Sequence, residues 1–323
     1  MGLRILFNLH LFPPGHLCGS EFYAYHTLQY LKSKGHDVRV ILNQAVQNNI
    51  KVPYTIDGID VFGPSNSLDP YRWADIIFTH LDFTKWSIHI GAKLKKPVVF
   101  FAHNDIPYGS VHNAEYIGCP IYVVYNSEWM IPNCDYKCPS MVMYPPTDWR
   151  YYDVCKHPEN NQYITLISLN ENKGGRIFYK IAEAMPDRLF LGVTGSYDEQ
   201  IIRTLPNVKI VPKGEILQYY KQTRLLLMPS RYESWGMTAT EAMCSGIPVL
   251  CTPTFGLKEN CSYAGNYIAQ RNDVPQWVRE IKKFDSLKYY QKRSNLARQR
   301  SRELDPVNGL ERLEAFINKA VYA

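Results

Sequence analysis

The sequence contains no run of ~18 apolar residues, so it offers no helix that could cross a membrane. It has no tandem repeat and no low-complexity tract, which excludes solenoid and disordered architectures. It has no paired CxxC spacings among its eight cysteines. Cys134 and Cys138 form a CxxxC with Cys119, Cys155 and His157 nearby, but the missing second half makes zinc the weaker reading. The opening residues, Met1-Gly2-Leu3-Arg4-Ile5-Leu6, show no signal-peptide pattern. The thiols are therefore expected to be free and the protein cytoplasmic.

The chain has 323 residues, 46% of them apolar and 20% charged, which fits two globular domains with sizeable cores. Charge is uneven. Residues 1–155 carry a net −1 and residues 156–323 a net +7. Nine basic side chains fall within Arg279–Arg302 against Glu280 and Asp285, and Trp277, Ile281, Phe284 and Leu287 recur there at helical spacing. Two readings follow. The stretch is a basic helix face for an anionic membrane, making the protein peripheral to it, or a solvated helix docked on its own domain. The second is preferred. Charge alone, without aromatic interleaving or a recognised module, does not support nucleic-acid binding.

Leu3–Leu9, a Pro-Pro-Gly loop, a helix opening at Gly19-Ser20-Glu21 and a strand at Val38–Leu42 make a βαβ beginning. Buried strands are expected at Ile76–Thr79, Pro97–Phe101 and Ile121–Tyr125. A break at Pro145–Pro158 precedes a second alternation. Its expected strands are Ile164–Leu169, Leu189–Val193, Val208–Val211, Leu225–Met228 and Pro248–Cys251, with helices near Gly175–Met185, Ile216–Gln222 and Thr238–Ser245. The expected architecture is α/β, with two doubly wound Rossmann-like domains, 1–155 and 156–305. A helix over 306–323 packs back on the first. Ligands of such sheets bind at the carboxyl ends of the strands, so a cleft between the domains is the expected site.

Glu233-Ser-Trp235-Gly236-Met237-Thr-Ala-Thr-Glu241, followed by Ala-Met-Cys-Ser-Gly-Ile-Pro-Val, is the most informative stretch. It places one carboxylate in a loop and another about two turns into the helix that follows. Carboxylates accept hydrogen bonds from paired hydroxyls. The backbone N–H groups of Trp235, Gly236 and Met237, at a helix N-terminus between them, suit a phosphate.

This pattern resembles the retaining glycosyltransferases of family 4, which have the GT-B fold and a Glu-x7-Glu motif. The resemblance implies that Glu233 holds the transferred sugar, Glu241 the ribose, and the backbone around Trp235–Met237 the diphosphate. It places Gly19 and Glu21 near the donor phosphates or acceptor and carries His103 over as a residue near the donor sugar. Tyr125-Asn126-Ser127 resembles a structural turn. Lys173 neutralises the diphosphate in this reading, with its side chain facing solvent when no ligand is bound. The Arg that normally stands five residues before it is Ser168 here, leaving Arg176 or Arg231 to compensate. Gly195-Ser196 and Pro212-Lys213-Gly214 match weaker family turns, and Gly256-Leu257-Lys258-Glu259 resembles a family loop.

The implied activity is transfer of a sugar, with retention, from a nucleotide-diphosphate sugar to a hydroxyl of a glycan, lipid or other acceptor. No metal or other cofactor is expected, because no Asp-x-Asp stands at a strand end and cations and amides can carry the diphosphate. The rivals are another GT-B enzyme, such as a nucleotide-sugar epimerase or a phosphorylase, and a nucleotide-sugar-binding protein without turnover.

Overall fold

The computed structural model describes residues 2–15, 18–47, 49–65, 67–196 and 198–322. The chain divides into two compact units, Met1–Pro146 with Pro306–Ala323, and Thr147–Asp305.

The sheet of the first unit runs, edge to edge, Ser140–Val142, Ile121–Tyr125, Val98–Ala102, Ile76–His80, Arg4–Leu9, Asp37–Leu42, Ile59–Phe62 and Tyr54–Ile56. Neighbours are parallel except the last pair, an antiparallel hairpin. The sequence reading missed that hairpin, although Asp57-Gly58 at its tip takes the left-handed conformation such a turn requires (φ +48° and +73°). Strand residues alternate between two cores, as a pleated backbone demands. Ile5, Phe7, Val99 and Phe101 face one, and Leu6, Val98 and Phe100 the other. Helices Gly19–Ser33 and Val307–Tyr322 cover the first face, the latter through Leu310, Leu313 and Ile317. Helix Thr84–Leu94 covers the second through Ile88 and Ile90.

The second unit has an all-parallel sheet in the order Val208–Val211, Leu189–Val193, Tyr163–Ile167, Thr223–Met228, Val249–Cys251 and Asn266–Tyr267. One face buries Ile164, Leu166, Phe190 and Leu225 against Ile177 and Phe178 of helix Gly175–Ala184 and against Trp277. In each sheet the chain starts near the middle, builds outward on one side, then returns to the other. The two switch points lie between Arg4–Leu9 and Ile76–His80, and between Tyr163–Ile167 and Thr223–Met228.

Three expectations need correction. The unit boundary lies at Pro146 rather than residue 155. Residues 147–155 are tied into the second unit because Asp153 pairs with Arg298 at 2.7 Å and Arg302 at 2.8 Å, and Ser245 donates to the Tyr152 carbonyl at 2.6 Å. The basic stretch is two helices, Val274–Lys283 and Leu287–Glu303, not one. Ser286 starts the second by accepting from the Tyr289 N–H, which leaves Leu287 55% exposed. Gly256–Glu259 is not a loop but part of helix Phe255–Cys261, capped by Thr254. Four of the nine basic residues also point inward. Arg293, Arg298 and Arg300 donate to main-chain carbonyls of their own unit, and Arg298 and Arg302 clasp Asp153. Among the described residues no helix is long and apolar enough to cross a membrane.

Candidate functional site

In the second unit, strand Tyr163–Ile167 ends at Ser168 and strand Thr223–Met228 leads into Ser230 and Glu233. A cavity of about 80 Å³ opens at this switch point, lined by Ser168, Lys173, Ser230, Glu233 and Thr238 with the strand ends beneath. Ser168 has φ +69°, and a Cβ on Gly195 would meet its Oγ at 2.2 Å, so Gly195 is required for Ser168 to sit there. Ser168 Oγ accepts from Asn170 Nδ2 at 3.1 Å, and Asn170 Oδ1 accepts from the Lys173 N–H at 2.8 Å. The loop is thereby shaped to aim Lys173 at Glu233.

Lys173 Nζ lies 2.6 Å from Glu233 Oε1, which also accepts from Ser230 Oγ at 2.8 Å. The Glu233 side chain is only 7% exposed and that of Lys173 31%. The expectation that Lys173 faces solvent without a ligand is therefore corrected: a nearly buried carboxylate at the sheet end recruits the nearest cation. Behind Glu233, Gly236 caps helix Met237–Cys244 with φ +88°, where a side chain would strike Leu257. The Trp235 ring is buried and its Nε1 donates to Thr240 Oγ1 at 3.2 Å, so this side chain shapes the turn rather than lining the cavity. Asn260 Nδ2 clasps the Trp235 and Gly236 carbonyls at 3.1 and 2.9 Å. Met237 and Thr238 are the first two helical residues, positions whose N–H groups have no intrahelical acceptor, whereas the Ala239 N–H donates to the Gly236 carbonyl at 2.9 Å.

Glu241 lies one helical turn past Met237 and is nearly buried. Tyr220 OH donates to its Oε2 at 2.6 Å. Burial pushes the carboxyl up to about 7, opposed by hydrogen bonds from Tyr220 and Tyr152. Arg231 and Arg176 both meet Glu171, at 2.6 and 3.0 Å. Arg271 bonds the Pro229 carbonyl at 2.6 Å and the Glu171 carbonyl at 2.9 Å, tying together the loops that carry Glu233 and Lys173.

In the first unit, His80 ends strand Ile76–His80 and His103 follows strand Val98–Ala102. Their rings meet edge to face at 5.1 Å, and Tyr23 packs on His103 at 5.0 Å. Both nitrogens of His80 and Nε2 of His103 are buried without a hydrogen-bond partner. Burial holds the His103 pKa down to about 4 and His80 well below its ordinary value, so both rings are neutral. Asn126 Nδ2 donates to the His103 carbonyl at 3.3 Å. Glu21 is buried in the helix that Gly19 begins.

The structure thus brings Lys173 and Glu233 together at one cavity, with Gly236 and Met237 starting the helix whose Thr238 lines it, sets Arg176 and Arg231 on a shared carboxylate and buries Glu241 further along that helix. Gly19 and His103 belong to the other unit. The sequence reading missed His80, Tyr152, Tyr220 and Arg271. His80 was one residue past a strand assigned as Ile76–Thr79. Arg271 follows a two-residue strand that carries no periodicity to detect. All eight cysteines are free, and among the described residues no group of three or more His, Cys, Asp or Glu side chains is arranged to hold a metal ion.

Residues 204–302, which span Glu233, Glu241 and Arg271, match the family described as Glycosyl transferases group 1. The match covers 204–302 alone, the later part of the second unit. Lys173 lies before the matched stretch. A segment of 32% of the chain is 33% identical to mannosylfructose-phosphate synthase of Agrobacterium fabrum, and that segment spans only 28% of the relative's length. Sucrose-phosphate synthase from Thermosynechococcus elongatus shares 14% identity over 99% of each chain, with a TM-score of 0.77. HepE of Anabaena, solved with UDP and glucose, shares 16% identity over 98% of this chain and 100% of its own, with a TM-score of 0.74. These likenesses establish the fold, two Rossmann-like parallel sheets of GT-B type.

Proposed function

We propose that this protein is a glycosyltransferase that transfers a sugar from a nucleotide-diphosphate sugar to a hydroxyl acceptor with retention of configuration, as the family 4 enzymes with a Glu-x7-Glu motif do. The observation that carries this is the Lys173–Glu233 pair, 2.6 Å apart at the switch point of the second sheet, beside the first turn of helix Met237–Cys244. A cation and unpaired helix amides suit a diphosphate, and a carboxylate beside them suits sugar hydroxyls. HepE, of the same fold, was solved with UDP and glucose.

In this reading Lys173 and the amides of Met237 and Thr238 stabilise the charge that grows on the diphosphate as the bond from its oxygen to the anomeric carbon breaks. The acceptor oxygen bonds that carbon from the same face, and the leaving phosphate oxygen takes the acceptor proton. Glu233 holds the transferred sugar and Glu241 the ribose. His103, neutral and with an unpartnered ring nitrogen, is assigned to a sugar hydroxyl rather than to a charge. No metal is needed for these roles, and the acceptor is a glycan, a lipid or another hydroxyl compound.

The test is incubation with UDP-, GDP- and ADP-sugars and a panel of acceptors. Released nucleoside diphosphate would be quantified, and the product's anomeric configuration read by NMR. Release with an acceptor-dependent product of retained configuration is expected, and an inverted product overturns the mechanism. Ser168 supports a second reading, a nucleotide-sugar-binding protein. Tight binding with no sugar loss would establish it.

A further inference from the structure

The Lys173 loop lacks the second cation that a diphosphate with two negative charges calls for, and Ser168 cannot supply it. Arg271 is committed to the Pro229 and Glu171 carbonyls, and the two other guanidiniums nearby are not free either. Arg231 Nη2 lies 2.6 Å from Glu171 Oε1, and Arg176 Nε lies 3.0 Å from Glu171 Oε2. Two arginines from different elements, the loop after strand Thr223–Met228 and the first turn of helix Gly175–Ala184, therefore converge on one carboxylate. That is the geometry with which guanidiniums hold a phosphate.

We propose that Glu171 is an internal stand-in for the donor's diphosphate, occupying the Arg231–Arg176 cradle until a nucleotide displaces it, and that Arg231 then supplies the charge missing at Ser168. The inference rests on the donor-binding reading given above.

Three features make the exchange feasible. The pairs are weak. The side chains of Arg231, Arg176 and Glu171 are 59%, 72% and 42% exposed, so water screens them. Glu171 Oε2 is itself shut off from water and faces Arg176 without a hydrogen bond, so this oxygen gives up little when it is displaced. The main chain need not move. The Glu171 carbonyl is held by Arg271 Nη2 at 2.9 Å and by the Gly174 N–H at 3.2 Å, while the Arg231 N–H donates to the Asn172 carbonyl at 2.8 Å. Only side chains have to swing. Finally, Arg231 is next in sequence to Ser230, which bonds Glu233, the partner of Lys173. The cradle therefore adjoins the cavity where the diphosphate is assigned.

The experiment is calorimetric titration of the purified chain with UDP, GDP and ADP and with the corresponding monophosphates. Glu171→Gln keeps the shape and removes the competing charge. It is expected to tighten diphosphate binding about three- to tenfold, the yield of freeing two exposed ion pairs, and to change monophosphate binding less. Arg231→Ala should weaken diphosphate binding at least tenfold, lower its salt dependence and abolish the gain from Glu171→Gln in the double variant. All three side chains are at the surface, so folding is not at risk. Unchanged or weaker diphosphate binding by Glu171→Gln overturns the inference alone. So does a gain that survives Arg231→Ala. If the wild-type chain binds none of the three diphosphates, the donor-binding reading falls and the inference with it.

Discussion

The carboxyl ends of the two sheets are built for opposite charge states. In the second unit the switch point is ionic. Lys173 faces Glu233, and two arginines face Glu171. In the first unit the switch-point strand ends in His80, and His103 follows the strand beside it; the two imidazoles are neutral, with three ring nitrogens lacking partners. One end is suited to charged ligand atoms and the other to uncharged hydroxyls. The lesson is that the fold sets where a site lies, while burial at that place decides what chemistry it keeps. Glu233 stays paired with a cation because Lys173 is at hand, whereas His80 and His103 sit among Phe7, Phe101 and Tyr23, where burial favours the neutral ring.

The largest effect that would sharpen this contrast is expected from Lys173→Ala. Losing a positioned cation on developing charge costs ~10²–10³ in rate, so transfer should become hard to detect; thermal melting should also drop, because the nearly buried Glu233 loses its cation. A loss below tenfold would mean the ionic end is not the catalytic one. Next come the carboxylates. Glu233→Gln removes a charge-assisted hydrogen bond worth about 1.5–3 kcal/mol, and turnover should fall by about 10–100-fold. Glu241→Gln should act mainly on the donor KM. Steady-state kinetics separate the two, and wild-type constants in both variants would break the site assignment.

The two ends should also answer pH in opposite senses. His103 is held at about 4, below its ordinary value of 6.5, so between these limits the unfolded chain binds a proton that the folded chain does not. The first unit therefore loses stability as pH falls through that window. Glu241 is raised to about 7 from 4.5, so the folded chain binds the extra proton, and the second unit loses stability as pH rises through that window. Each contribution is on the order of 3 kcal/mol at full extent. Denaturant melts at successive pH values should show the acid limb flattened by His103→Phe and the neutral limb flattened by Glu241→Gln. Variants that keep both wild-type slopes would contradict the comparison. The smallest effect concerns metal. EDTA should leave most transfer activity in place, and complete loss restored by Mg²⁺ or Mn²⁺ would show that the ionic end works through a divalent ion.

Much of this was legible in the sequence because it rests on local pattern. Strands Leu189–Val193 and Val208–Val211 announce themselves as short apolar runs between turn residues. Helix Met237–Cys244 is marked by Gly236 at its start and Gly246 with Pro248 at its end. Glu241 lies within that helix and Glu233 three residues before Gly236, so their positions along the chain came with the framework. The break at Ser286 was less legible because the apolar spacing of Trp277, Ile281 and Phe284 runs on to Leu287 as though nothing intervened.

The sequence by itself determined that two parallel sheets form, that a Gly-capped helix follows the fourth strand of the second, and that two carboxylates flank its start. Only the tertiary structure decided who pairs with whom. Lys173 meets Glu233 across 60 positions, Arg298 meets Asp153 across 145, and Tyr220 closes on Glu241 from a separate helix. Hydrophobic period and turn chemistry act over a few residues and leave a trace in the string. Ion pairing and desolvation depend on distance in space, and that is set only once the strands have taken their order.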